Sequence, residues 1–529
     1  MRGSARLVYL AKTGRRTSDN IHTLNVSQSS ILCSQIQVGM NCNNLSFFRF
    51  WKTITILYVE DLGADSKLGS QGTPQLQVFL NSPILKMLLR LALPNMVAII
   101  TMTAIIIADA SYIGRLGTVE LASLALVFPF QSLMQMMAAG AIGGGITSSV
   151  SRALGRNRQT EAEEAAWHGF LIVIMMSVIY TIILGIFCGP VLSLFDASNE
   201  VVEGAIIYSR ILFGAAAVGW VFFFLCSILR AIGEILLLSR IIIVSSLVQI
   251  ILSGALTLGL GPLPSFGIAG PAIAMVFCHG ITTIYMLILI LKGSFEFRLR
   301  PYPFKLLTLY DIMKVGGIGL INSSAIALTV IVVTRIIGSY GTSALAGYGL
   351  GSRLEIMVIP IAFGIGGVLT PAVGANFGAN QFGRARKIAW TGCGLSAIFT
   401  GLIGIVFATV PNLWLDQFTS DPAAYEYGAL YLGIVAPLYG LFGGGMALYF
   451  ASQGTGHMVI PVSISLLRLL VVGTVGFLSI QLSLGLSTVF GSVAIGLGII
   501  GIGMGLNMFS PTWRPKATSS IDAISFRAK

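Results

Sequence analysis

From Ile84 to Leu506 the chain alternates apolar runs of about twenty residues or more with short polar breaks. A helix crossing the hydrocarbon core needs roughly 20 mostly apolar residues, so each run fits one crossing. Lipid offers no water to backbone N–H and C=O groups, so the crossings are helices that satisfy themselves. Twelve spans are expected, at about 85 to 113, 120 to 145, 163 to 188, 203 to 228, 236 to 260, 267 to 291, 312 to 337, 343 to 369, 386 to 410, 426 to 450, 458 to 481 and 484 to 506. Only 10% of residues are charged, against about 25% in a soluble domain. The fold class is therefore all-α and polytopic.

The polar breaks sort by sign. One set holds Arg152, Arg156, Arg158, Arg230, Lys292, Arg298, Arg300, Lys305, Arg384, Arg386 and Lys387, with Arg514 and Lys516 in the tail. The other holds Asp196, Glu200, Glu203, Asp416, Asp421 and Glu426, with Arg115 as a basic exception. Lys and Arg favour the cytoplasmic side, so both termini are expected there. The placement of the charges accounts for the net charge of +12 without nucleic acid. Compact loops favour a prokaryotic inner membrane.

Residues 1–82 differ, being basic and rich in Ser, Thr and Asn. Their most apolar stretch, FFRFWKTITILYV, is too short and too charged to span, and it lacks the continuous apolar core and small-residue cleavage site expected of a secretory signal. They read as a poorly ordered cytoplasmic extension, and residues 507–529 as a cytoplasmic tail.

The chain also repeats itself. IGRLGTVELASLA from Ile113 aligns with IGSYGTSALAGYG from Ile337, and GRNRQTEAEEAAWHG from Gly155 with GANQFGRARKIAWTG from Gly378. Trp167 then falls on Trp390 and Gly233 on Gly456. Two homologous six-helix bundles are expected, over 83–300 and 301–506, with the working site near the membrane midplane.

Asp109 is the first functional candidate. A carboxylate at the centre of a membrane helix costs roughly 2.5–3.5 kcal/mol on insertion scales, which calls for a partner or a use. In a site that changes exposure it can take up and release a proton, and a cationic compound can compete for its ionised form. The structural alternative is a permanent ion pair with Arg210. In the second half, Arg353, Glu355 and Arg468 are intramembrane charges. Glu355 and Arg468 are expected close together, either as a structural pair or with Glu355 handling substrate or protons in the cavity. Gln131 and Gln135 share one helix face near Phe128, Met134 and Met137, and either bridge helices or line a wet path.

The Gly runs at 140–145, 364–367 and 443–445 allow close helix approach or bending, and nothing matches GxxxxGK[ST]. The six Cys and four His show no metal or disulfide spacing, and no nucleophile and base converge. An enzyme, a resident metal and a cofactor other than a coupling ion are not expected.

LALPNM at 91–96, ADASYIGRLG at 108–117, LTPAVGANFGANQFGRARK at 369–387 and the Gly233-Glu234 loop resemble the multidrug and toxic compound extrusion (MATE) family, closer to its DinF-like than its NorM-like members. The resemblance implies a V-shaped pair of bundles that exports cationic or amphiphilic organic compounds against protons or sodium by alternating access. It also implies that Asp109 binds the coupling ion, assisted by Gln249 and Ser253. Other members often carry Asn and Asp at those two positions, so this chain lacks the second carboxylate, which weakens the case for a sodium site. The partners expected are small organic molecules and membrane lipid, with the chain a monomer. The runner-up is a flippase for lipid-linked saccharides or related amphiphiles.

Overall fold

The computed structural model describes residues 74–514, apart from 196, 260–263, 293, 294, 296 and 420. Residues 1–73 of the expected extension, Asp196 and Lys516 lie outside the described residues. The first bundle contains α2 (Ile84–Gly114), α3 (Thr118–Gly155), α4 (Gln159–Ile186), α5 (Asn199–Gly214), α6 (Ala216–Ala231), α7 (Ile235–Leu258) and α8 (Ala269–Leu291). A short helix α1 (Pro74–Asn81) precedes it. The second contains α9 (Leu306–Gly338), α10 (Thr342–Gly378), α11 (Phe382–Thr409), α12 (Pro422–Thr455), α13 (Val459–Gln481) and α14 (Leu486–Asn507). Eleven helices are long and apolar enough to cross a bilayer, or twelve when α5 and α6, bent by 49°, count as one span. All twelve expected spans correspond to these helices.

Backbone geometry carries the repeat. Four pairs of positive-φ residues fall at the offset of 223 or 224 that aligns the halves: Gly117 with Gly341, Asn157 with Asn380, Gly233 with Gly456, and Gly259 with Ser483. The break at Ala215 between α5 and α6 corresponds to the 3-10 turn Ala436–Leu438 within α12. Thr147 donates to the Ser227 carbonyl at 3.0 Å, and its counterpart Thr370 donates to the Phe450 carbonyl at 2.9 Å. The halves share turns, breaks and internal ties.

Two parts assigned to the flanks belong to the packed body. α1, placed by sequence in the poorly ordered extension, buries Leu76 and Phe79, and Asn376 donates to the Phe79 carbonyl at 3.0 Å. In the tail, Trp513 is buried and meets the Phe377 ring edge to face at 5.8 Å. Hydropathy misses both because their burial comes from contacts distant in sequence, not from a long apolar run.

The halves meet through α2 and α3 on one side and α9 and α10 on the other. Their tightest union lies at the end carrying the basic loops. Arg152 of α3 pairs with Asp311 of α9 at 2.7 Å, and Ser149 and Lys314 also reach that carboxylate at 2.7 and 2.6 Å. Ser148 donates to the Gln453 carbonyl. A Cβ on Gly155 would fall 2.1 Å from the Ala375 carbonyl oxygen, and one on Gly378 equally close to that of Arg152. Backbone touches backbone there, and no larger residue fits.

Candidate ion and substrate site

Asp109 sits five residues before the end of α2, towards the acidic-loop end. Ile105, Asp109 and Ile113 are all buried at a spacing of four, so the carboxylate lies on the packed stripe of the helix. That stripe faces α7. Gly254 allows the approach, since a Cβ there would come within 2.8 Å of the Tyr112 ring. One residue earlier, Ser253 donates a hydrogen bond to Asp109, and Gln249 lies one turn away on the same face.

The carboxylate opens onto a cavity of about 40 Å³. Its polar wall consists of Asp109, Gln131, Gln135, Tyr208, Gln249 and His279, and Phe128 and Met275 are among its apolar lining. A single water needs about 10–15 Å³ of such space, so the cavity suits a few waters or a small cation. Tyr208 donates to Gln131 Oε1 at 3.3 Å, and Gln131 Nε2 points to the Met275 sulfur at 3.4 Å. Met134 lies on the wall of a smaller neighbouring cavity, which shares Met275 and His279 with the first.

The structure brings together Asp109, Gln131, Gln135, Gln249 and Ser253 and keeps the second-half charges elsewhere. The Asp109–Arg210 pair does not form: Arg210 is exposed, while Tyr208 and Ser209 turn inward. Two residues along a helix is about 200° of turn, so Tyr208 and Arg210 take opposite faces. Arg353 is exposed as well. Glu355 and Arg468 make no ion pair among the described residues. Instead Tyr431 donates to Glu355, and the Arg468 guanidinium lies 5.7 Å from the Phe442 ring centroid. An aromatic face and a tyrosine hydroxyl make the direct contacts, while the two charges lie near enough to interact, as expected.

Sequence reasoning missed Tyr208, Met275 and His279. For Tyr208 a signal existed, because the repeat sets Tyr208 on Tyr431 and Gln131 on Glu355. The same hydroxyl-to-side-chain contact occurs in both halves. His279 gave no signal beyond being a polar residue in an apolar span.

Among the described residues no group of three or more His, Cys, Asp or Glu side chains could hold a metal ion. The family model MatE matches residues 94–254 and 320–478, once in each half. The chain belongs to the MATE family. Members of the family are transporters and not enzymes. A FAD transporter of Shewanella oneidensis is 26% identical over 372 residues, 69% of this chain and 81% of that protein. A probable multidrug resistance protein, YoeA of Bacillus subtilis, is 25% identical, over 67% of this chain and 78% of its own. The multidrug export protein MepA of Staphylococcus aureus is 23% identical, over 72% and 84%. Among solved structures, a MOP superfamily transporter from Pyrococcus furiosus superposes with a TM-score of 0.77 at 20% identity, covering 83% of this chain and 97% of its own. An outward-facing multidrug resistance MATE transporter gives 0.76 at 21%, over 83% and 97%. Those likenesses show the MATE fold for this chain.

Proposed function

We propose that this MATE transporter is a secondary antiporter of a bacterial inner membrane, with the basic-loop end cytoplasmic, and that it exports cationic or amphiphilic organic compounds in exchange for protons. The observation that carries the reading is Asp109: a buried carboxylate with no cationic partner among the described residues, opening onto a water-sized cavity. A carboxylate left without a counter-ion in a membrane protein is stabilised by whatever it binds, and a proton and an organic cation are alternative occupants. The missing second carboxylate favours the proton over sodium, because Ser253 and Gln249 add no charge to hold a metal ion. Closure at the basic-loop end, through Arg152 and Asp311, fits a state in which the cytoplasmic path is shut. Release to the far side then precedes reopening, which is alternating access between two bundles around one site.

The test is efflux of a fluorescent cation from cells expressing the wild type or Asp109→Asn. Loss of efflux at unchanged protein level is expected, with partial retention in Asp109→Glu. Full efflux in Asp109→Asn would remove the basis for the reading.

A second reading is export of a phosphate-bearing amphiphile, as the name of the Shewanella relative suggests for that protein, or flipping of a lipid-linked saccharide. It is favoured by Arg230, whose buried Nε has no hydrogen-bond partner and which packs between the halves beside Gly367. The cavity itself argues against it, since its charged residue is a carboxylate.

A further inference from the structure

We propose that His279 is the second proton station of the coupling site, exchanging a proton with Asp109 through water in the shared cavity. This deepens the reading of Asp109 as the coupling group and rests on it. Gln249 and His279 are 2% and 5% exposed, line the same cavity as Asp109, and have no hydrogen-bond partner among the described residues. Buried polar groups are almost always satisfied, so two unpaired ones opening onto a cavity large enough for water mark a place that can hold it. Gln249 can orient that water but cannot accept its proton at physiological pH. The imidazole can.

Its setting holds the ring still. The His279 ring stacks on Phe222 at 4.2 Å between centroids and 4° between planes, with Phe223 edge-on at 6.2 Å. Around it, α6 presents these two aromatics, α7 presents Gln249, α2 presents Asp109, and α5 presents Tyr208. Asp109 and Tyr208 are thus the titratable groups on the cavity it shares. Met275 and His279 also line the second cavity, beside the break at Ala215 and Ala216. Of these two residues only the imidazole can carry a proton from one cavity to the other.

The step balances simply. A proton leaves the Asp109 carboxyl for a cavity water, which passes one to an imidazole nitrogen of His279; no heavy-atom bond changes and nothing is oxidised. With His279 neutral and Asp109 ionised the pair carries one negative charge. One proton, on either residue, neutralises it, and so does one monovalent organic cation. The histidine gives the proton a path out of the site, so that it leaves as the cation takes the carboxylate.

The experiment uses the full chain in proteoliposomes, with ethidium as probe, and compares wild type, His279→Gln, His279→Phe and Asp109→Asn. His279→Phe keeps the stack on Phe222 and removes the proton acceptor. Both His279 variants are expected to slow pH-driven ethidium exchange by about tenfold or more. The pH of half-maximal exchange should move acid by about one unit, as a coupled pair becomes a single site. A single gel-filtration peak and a melting temperature matching wild type report a folded protein. A wild-type rate and pH profile in either variant overturns the proposal, and recovery by Phe alone assigns the residue to packing. Persistence of pH drive in Asp109→Asn, or its absence in wild type, overturns instead the functional reading beneath it.

Discussion

Among the described residues Asp109 has one hydrogen-bond donor, the Ser253 hydroxyl, and that donor favours the ionised form, to which on the proposed reading a cation binds. A hydrogen bond to a charged group is worth about 1.5–3 kcal/mol. Ser253→Ala is therefore expected to raise the substrate concentration for half-maximal exchange by about tenfold or more, at unchanged expression. An unchanged value would mean that substrate does not meet Asp109 in its ionised form. Tyr208→Phe removes the hydroxyl that orients Gln131. A neutral hydrogen bond contributes about 1 kcal/mol, so a loss of roughly fivefold in apparent affinity is expected in the same assay, with little change in melting temperature. At this scale Asp109 and Gln131 stood out because each breaks an apolar run, whereas Gln249 and Ser253 came from the family resemblance. The sequence could not place Arg210, whose face depends on how α5 rotates against its neighbours, nor pair Glu355 with Tyr431 across two helices.

The elements that close the basic-loop end are α3, α9 and α10. Arg152 is only 8% exposed along its side chain, whereas Asp311 is 32% exposed. Surface pairs contribute about 0–1 kcal/mol, and removing one partner of a fully buried pair costs about 3–5 kcal/mol, so the loss in Asp311→Asn falls between these values. That variant is expected to favour opening of this end. With Cys188, Cys226, Cys278 and Cys393 replaced, and those of residues 1–73 as well, a cysteine at the buried Ser151 should react faster with a membrane-impermeant maleimide from that side. Equal labelling in Asp311→Asn and its parent would show that the pair does not hold the end closed. Gly378→Ala makes the complementary case, since its Cβ cannot coexist with the Arg152 carbonyl. It should show the same increased labelling and a strong loss of transport. Hydropathy located every span, yet ended α3 and α10 about ten residues early. Their last turns are held by contact between the halves and carry polar residues such as Arg152 and Asn376, so no apolar run marks them.

On the scale of the whole molecule, two copies of one six-helix plan have kept their turns and diverged in their polar residues. Gln131 and Glu355 occupy equivalent positions and each accepts from an equivalent tyrosine, yet Asp109 corresponds to Val333. The repeat was legible because turn glycines and basic loops constrain sequence. The same alignment, by setting Asp109 on Val333, assigns ion coupling to the first half; which helices enclose the cavity was not legible, because that depends on packing. On the proposed reading the first half carries the coupling site, and movement of the halves about the interface of α2 and α3 with α9 and α10 would change the side to which it opens. The most direct test is exchange of a fluorescent cation by purified protein in proteoliposomes, under an imposed pH gradient or an imposed sodium gradient of equal size. Exchange driven by the pH gradient, indifferent to sodium and abolished by Asp109→Asn, is the expected result. Exchange driven by sodium alone, or pH-driven exchange that survives Asp109→Asn, would contradict it.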